Sequence, residues 1–328
     1  MQKSLFVGCL VLLIAGCAQK PSSTPTSAES PSKSAQLSQE SPATPAAAQS
    51  KSNVELINAG TEPKQQLRFT PGANTKQTLQ MTMDMDMAMS VGGQTQPAFD
   101  SPPIKMTMES EVTKVDANGD IHTDFSYSGA DVVAAKNTPP ELVNAMRTQV
   151  KKLVGLRGSM IVDNQGNTKQ ANFNTPETLD PNTKKMVEQM VTSLKQLSSP
   201  VPSEAVGVGA KWKIPNSVTA NGMTMNQSST YELVDLKDNV ASLQVNMEQQ
   251  AGEQKINPQG LPPGASIDLK SMNSQGNGKL KLALNQVMPI SSTMSMRSKS
   301  QMSVKEPNSE KATAMDMNVS VEMALESK

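Results

Sequence analysis

The sequence is poor in the residues on which catalytic and disulfide-bonded domains commonly depend. Of its 328 residues, two are cysteine and one is histidine, and only 2% are aromatic. Nucleophilic triads and most zinc sites are built with histidine or cysteine. The composition therefore predicts a protein that is not an enzyme and has no cofactor, with an aliphatic core in place of an aromatic one.

The chain also lacks an excess of charge of either sign. Lysine and arginine together number 30, and aspartate and glutamate together also number 30. A nucleic-acid-binding surface is usually strongly basic, and a segment that binds anionic lipid is a cluster of lysine and arginine. We therefore expect no nucleic-acid partner and no electrostatic attachment to a membrane.

The apolar run near the N-terminus is too short to cross a bilayer, which needs about 20 residues. It covers Leu5–Leu13, follows the basic Lys3 and leads into Ile14-Ala15-Gly16-Cys17. A short basic segment, a short apolar segment and small residues before a cleavage point are typical of a secretory signal. With cysteine after the cleavage point, the pattern resembles the lipobox of bacterial lipoproteins.

This resemblance implies a signal peptide at residues 1–16, cleavage after Gly16 and a lipid on Cys17. The protein would then be exported and bound to a membrane through its N-terminal lipid. Ala18 differs from the aspartate that retains some lipoproteins in the inner membrane, so the resemblance favours the outer membrane in a host with two. Cys9 would leave with the signal, and the mature chain would form no disulfide although its compartment permits one.

Residues 17–62 contain the lipobox cysteine and a segment dominated by serine, proline, alanine, glutamine and threonine. The segment has no apolar periodicity, and such a composition cannot bury enough apolar surface to offset the entropy of ordering. We therefore predict a disordered tether that ends near Glu62. A single domain is expected at 63–328.

Methionine is abundant, with 23 residues in the chain, and it is concentrated in alternating runs. Between Thr78 and Val91 the methionines share one parity, while Asp84 and Asp86 take the other. Strict alternation predicts a half-buried strand. The candidate apolar ligand face comprises Met81, Met83, Met85, Met87 and Met89 with Met106 and Met108 of the next strand.

Two segments have helical periodicity, whereas most others alternate. One helix is predicted from Thr138, as its cap, to Gly155, and another from Asp180 to Pro200. Two hairpins, which begin near Met106 and Met223, form a weak repeat that either duplication or convergence explains. We expect an α+β fold in which a long, curved antiparallel sheet, like a half-open barrel, carries two amphipathic helices on its apolar face.

At the level of element order, residues 63–328 resemble the bacterial lipoprotein-carrier superfamily. Its members, periplasmic carriers of the Lol pathway and mycobacterial lipid-carrying lipoproteins, hold acyl chains in an apolar cavity under helices. The chain also resembles uncharacterised exported lipoproteins with a Gly-x-x-Trp turn, here Gly209 to Trp212. These resemblances imply a lipophilic ligand.

Two functions of different classes remain open, a module that binds or carries a lipophile and a structural or interaction lipoprotein with a filled core. Copper is a third possibility because thioethers select Cu(I), but it would need methionines of neighbouring strands to converge on one point.

His122 is interpreted as a solvent-facing strand residue. The Asp116–Asp120 segment lacks the full calcium-loop pattern and predicts a hairpin turn. Asp84 and Asp86 are interpreted as solvated, with Arg297 and Lys299 as possible ion-pair partners, and no metal site is assigned.

Overall fold

The computed structural model describes residues 54–134, 138–174, 183, 184, 187, 200–220, 222–256, 261, 263–307, 309 and 311–328. The chain divides into two units, Met1–Lys51 and Ser52–Lys328, and the fold reported below belongs to the second. The predicted signal peptide, the cleavage site at Gly16, the lipidation site Cys17 and most of the tether lie outside the described residues.

The unit is built almost entirely of strands. Strand accounts for 63% of the structure and helix for 6%, in a single helix of the described residues. The elements are β1 (Glu55–Asn58), β2 (Gln65–Gln66), β3 (Lys76–Val91), β4 (Gln94–Thr95), β5 (Phe99–Asp100), β6 (Ile104–Val115), β7 (Ile121–Val132), α1 (Pro140–Lys151), β8 (Arg157–Val162), β9 (Thr168–Asn174), β10 (Ala205–Val206), β11 (Lys211–Ala220), β12 (Met223–Lys237), β13 (Val240–Ala251), β14 (Gln254–Ile256), β15 (Ser266–Ala283), β16 (Ser291–Lys305) and β17 (Ala312–Ser327).

The predicted α+β class with two helices is therefore wrong, and the fold is mostly β. The first predicted helix is found as α1, and Thr138 does not cap it, because Pro139 occupies the N-cap position and makes no side-chain cap. Most of the second predicted helix lies outside the described residues, although Val187 within it is buried. Outside α1, nearly all of the described segments alternate between apolar and polar residues. They form strands, and the pairing of these strands dominates the fold.

The large sheet is antiparallel and open. Its strand order is β1-β11-β12-β13-β15-β16-β17-β3-β6-β7-β8-β9, and β4, β5 and β14 add short pairings to β3 and β15. β17, the last strand, pairs with β3, so the end of the chain joins the two halves of the sheet. The expectation of one long antiparallel sheet that does not close is confirmed.

The sheet curls so that strands far apart in its order share one core. Val112 and Phe125 of β6 and β7 belong to the same buried cluster as Trp212, Leu243 and Leu280 of β11, β13 and β15. This core lies at the end of the sheet that carries the β6–β7, β8–β9, β12–β13 and β15–β16 connections. We call it the lower end.

Two irregular segments close the lower end. The first is Leu67–Thr70, in which the Phe69 N–H donates to the carbonyl of Asn164 (2.8 Å) and the Thr70 N–H donates to that of Leu284 (2.6 Å). This segment therefore bridges the β8–β9 turn and the end of β15, on opposite sides of the curled sheet. Leu67 is fully buried as a result.

The second closing segment is Pro200–Pro202. The Val201 N–H donates to the carbonyl of Gln165 (2.9 Å), and the indole N–H of Trp212 donates to the carbonyl of Pro200 (3.2 Å). The Trp212 ring stacks on Tyr231 with centroids 5.6 Å apart. The predicted Gly-x-x-Trp turn thus places the single tryptophan in the core.

The folded unit begins earlier than the sequence predicts. β1 pairs with β11, with Leu56 opposite Trp212, and the N–H of Thr61 donates to the carbonyl of Val208 (2.9 Å). The predicted end of the tether near Glu62 is therefore wrong. β1 contains the adjacent apolar residues Leu56 and Ile57 without alternation, and pairing with the distant β11 orders it.

The two hairpins of the weak repeat share a local irregularity. In the β6–β7 pair the register shifts between Val112 and Lys114, and in the β12–β13 pair it shifts between Leu233 and Asp235. Both shifts lie close to the hairpin turn, where a bulge increases the local twist. The shared feature helps both hairpins curl around the lower core.

Candidate ligand-binding face

The alternating methionines of β3 lie on the inward face of the sheet. Met85, Met87 and Met89 are half-buried, whereas Asp86 and Ala88 between them are exposed. Burial therefore follows the expected parity between Met85 and Met89, whereas Thr82 and Asp84 are half-buried like the methionines beside them. Met106 and Met108 of β6 pack against the buried core, which places them on the same face.

Two later strands extend this face in a continuous register. Met81, Met83 and Met85 of β3 lie opposite Leu325, Met323 and Val321 of β17. On the other side of β17, Met323 lies opposite Met294 of β16. We call thirteen half-buried residues of this inward face the methionine wall: Met294, Met296, Met317, Val319, Val321, Met323, Met81, Met83, Met85, Met87, Met89, Met106 and Met108.

Sequence reasoning missed the contribution of β16 and β17 to this face. Both strands alternate, but only β3 and β6 were assigned to it, because alternation within one strand does not show which strands become neighbours. The signal was nevertheless present. Met315, Met317 and Met323 have one parity, and the exposed Asp316 and Glu322 have the other.

Near the lower end, the same inward face is buried on β13 and β15, on the other side of β16. The lower halves of β13 and β15 carry buried aliphatic residues, which we call the leucine wall. Its members are Ala241, Leu243, Val245, Leu280 and Leu282. All methionine-wall residues, in contrast, are half-buried, so that part of each remains accessible to solvent.

Two glycines separate the walls. Gly276 and Gly278 of β15 lie opposite Met296 and Met294 of β16. A Cβ at Gly278 would lie 2.2 Å from the carbonyl oxygen of Thr293 and 3.2 Å from Sδ of Met294. Glycine is required at position 278 because a side chain there would collide with β16. The lack of a side chain leaves space for the Met294 thioether.

The helix does not cover the methionine strands as predicted. α1 contacts β7, where the Arg147 guanidinium donates to a carboxylate oxygen of Asp131 (2.7 Å) and to the carbonyl of Val132 (2.9 Å). The expectation that the methionines of β3 face two helices is therefore wrong for the described helix. The polar contacts of Arg147 and the burial of Val143 hold α1 in its position.

The outward face behind the methionines is acidic. Asp84 lies opposite Glu322 and Asp86 opposite Asp100. Loss of hydration and the nearby carboxylates raise the pKa of Asp86. Arg297 lies on β16, with β17 between it and β3. β17 thus separates Arg297 and Lys299 from β3, and among the described residues neither of them pairs with Asp84 or Asp86.

His122 pairs with Asp116 beside the β6–β7 turn. Its Nε2 lies 2.7 Å from Oδ2 of Asp116, and its side chain is 30% exposed. Lys114 also contacts Asp116, at 2.6 Å. Hydrogen bonds from Lys114 and His122 lower the pKa of Asp116. His122 therefore belongs to a surface cluster with Asp116 and Lys114.

The Asp116–Asp120 segment forms the predicted hairpin turn. The Gly119 N–H donates to the carbonyl of Asp116 (2.9 Å), and the Asp116 N–H donates to that of Asp120 (2.8 Å). Across the described ranges, histidine, cysteine, aspartate and glutamate form no group of three or more that could hold a metal ion.

Comparison with known proteins gives a partial match. A family of unknown function, DUF6263, matches residues 183–289, which span β10 to β15 and the leucine wall but exclude β16, β17, β3 and β6. No curated protein matches the sequence. In the part of the chain that the structure describes, no helix is long and apolar enough to span a membrane. The chain is thus similar to this family over about a third of its length, in the half of the sheet without the methionine wall.

Proposed function

We propose that this protein is an exported, lipid-anchored lipoprotein whose domain binds a lipophilic ligand against the methionine wall. One observation carries the proposal: a contiguous apolar wall is half-exposed although it continues the inward face that forms the buried core. Contiguous exposed apolar surface commonly marks a binding site. Methionine is unbranched and polarizable, so the wall can adapt to acyl chains of different shape.

Anchoring rests on the sequence around Gly16 and Cys17. Growth with labelled palmitate should label the wild type and the Cys9→Ala variant equally, because Cys9 belongs to the predicted signal. Cys17→Ala should take up no label and should keep its signal uncleaved. Label in the Cys17→Ala protein would contradict lipidation at this residue. Fractionation of the envelope then tests the proposed outer-membrane location.

Ligand binding is tested on the full chain extracted gently from native membranes. Native mass spectrometry should detect a bound lipophile, and the delipidated protein should bind a fluorescent fatty acid. Met85→Asp places a charge in the apolar wall and should weaken fatty-acid binding at least about tenfold, because an unpaired carboxylate is costly to desolvate. Ala88→Asp is the matched control, since Ala88 is exposed on the opposite face of the same strand.

The alternative is a structural or interaction lipoprotein with a filled core. The closely packed lower end, where Leu67, Trp212 and Leu233 are fully buried, favours it for that part of the unit. Bare protein from native membranes, together with equal fatty-acid binding by Met85→Asp and Ala88→Asp, would contradict the carrier proposal and support the alternative.

A further inference from the structure

Three methionines lie side by side on three neighbouring strands. Met294 of β16 is directly opposite Met323 of β17, and Met323 is directly opposite Met83 of β3. Directly opposed residues of antiparallel strands have Cβ atoms about 4.5–5.5 Å apart. The three methionine side chains therefore extend from neighbouring positions on one face of the sheet, with Met323 in the middle.

Three more thioethers lie one diagonal step from Met323. Met81 and Met85 flank Met83 on β3, and Met296 follows Met294 on β16. Diagonal neighbours are about 7–8 Å apart, a separation that long side chains can span. Methionine clusters in two dimensions here, which a single alternating strand cannot achieve.

The immediate inward neighbours of this cluster are apolar except for one serine. They are Ile104 beside Met83, Gly278 and Ser292 beside Met294, and Leu325 and Val321 on either side of Met323. Calcium and magnesium need several oxygen ligands, which a single hydroxyl does not supply. Thioethers are soft ligands that select Cu(I), so the donor set fits a soft monovalent ion.

The surroundings also allow the sulfurs to move and an ion to enter. Gly278 lacks a side chain where Met294 Sδ lies, 3.2 Å from the position of a Cβ at this residue. Met83, Met294 and Met323 are half-buried and so remain accessible. Methionine has three rotatable side-chain bonds, and rotation about them can bring the outer two sulfurs towards the central one.

We propose that Met83, Met294 and Met323 form a thioether site for Cu(I) in the methionine wall, with Met323 as the central ligand. The site is independent of the lipophile proposal, because it depends on sulfur and not on apolar character. Leucine has nearly the volume and hydrophobicity of methionine but no donor atom. Met→Leu variants therefore separate the two proposals.

The test uses the full chain without oxygen and Cu(I) supplied in competition with a chromogenic Cu(I) chelator. The wild type should withdraw Cu(I) from the chelator, and Cu K-edge X-ray absorption should show sulfur neighbours alone. Met323→Leu should weaken binding by at least ~10-fold, since even changes beyond the direct ligands cost 10–100-fold. Met160→Leu is the control, because Met160 is buried opposite Thr123 and Ala171, and it should bind as the wild type does.

The triple variant with leucine at positions 83, 294 and 323 should lose Cu(I) and retain the fluorescent fatty acid, and circular dichroism verifies its fold. Failure of the wild type to withdraw Cu(I), nitrogen or oxygen neighbours in the absorption spectrum, or wild-type affinity in Met323→Leu would each overturn the metal site. None of these results bears on fatty-acid binding, which fails separately if Met85→Asp has no effect.

Discussion

The leucine wall and the methionine wall belong to one face of one sheet, yet one is buried and the other is half-exposed. Leu243 and Leu280 belong to the same buried cluster as Leu67 and Val201, which lie in the two segments that close the lower end. Met85 and Met323, higher on the same curved face, are only half-buried. Apolar alternation therefore selects the face on which a residue lies, whereas the segments packed opposite decide how completely it is buried.

The largest expected effect comes from truncating one residue in each wall. Leu243→Ala should lower the free energy of unfolding by about 2–5 kcal/mol, because it leaves a cavity in a packed core. Met87→Ala should cost under ~2 kcal/mol, as for most substitutions of partly exposed residues. Urea unfolding of both variants measures the difference. Equal losses would mean that the methionine wall is as tightly packed as the leucine wall.

The boundary between the walls can be tested with its two glycines. Gly278→Ala should destabilise by about 1–3 kcal/mol, a typical cost of overpacking, because its Cβ would lie 2.2 Å from the Thr293 carbonyl oxygen. Gly276→Ala should cost less, since its nearest contact would be 3.2 Å from the Ser295 carbonyl oxygen. Thermal unfolding ranks the two variants, and the reverse order would contradict the close approach of β15 and β16 at Gly278.

The sequence predicted the strands better than their surroundings. Alternation identified the inward parity of β3, and the Asn118-Gly119 pair identified the β6–β7 hairpin, because both signals are local. The predicted α+β class was wrong because strands pair along most of the described chain, which leaves one described helix beside the sheet instead of the two that were predicted. The burial difference between Leu243 and Met85 could not be predicted, since it depends on segments far from both in sequence.

The neighbours of a strand were equally inaccessible to sequence reasoning. Met83 and Met323 lie opposite each other although 240 positions separate them in the chain. No local pattern states that the last strand pairs with β3. The same limitation hid β1, in which Leu56 is ordered by pairing opposite Trp212 of β11.

Removing the first strand of the folded unit, β1, should have an intermediate effect on stability, because β1 packs on the buried core that contains the leucine wall. Deleting residues 18–51 should leave the melting temperature nearly unchanged, because their composition cannot support a core. Deleting 18–62 removes β1 and the packing of the partly buried Leu56 on the core. It should cost about 1–2 kcal/mol, in the lower part of the range for burying an aliphatic side chain. Calorimetry distinguishes the two, and equal melting temperatures would contradict a stabilising β1.

The smallest expected effect concerns the turn at the closed lower end, where the core strands β6 and β7 meet. Hydrogen bonds from Lys114 and His122 hold the pKa of Asp116 below its ordinary value of 3.8. A carboxyl whose folded-state pKa is lowered stabilises the fold when ionised. This contribution is present above the unfolded-state pKa and is lost as the pH falls through the folded-state pKa. Solvent screens the cluster, so the contribution is small.

Asp116→Asn should therefore lower the urea midpoint slightly at about pH 6, and the deficit should shrink as the pH falls below 3.8 and through the lowered folded-state pKa of Asp116. Lys114→Gln removes the larger cause of the lowered pKa and should reproduce part of the same pH dependence. A conservative change in the methionine wall, such as Met87→Leu, contains no titrating group and should show none. An Asp116→Asn deficit that is constant from pH 6 to pH 2.5 would mean that the asparagine disturbs the turn itself, and that the charge cluster contributes nothing to the closed end.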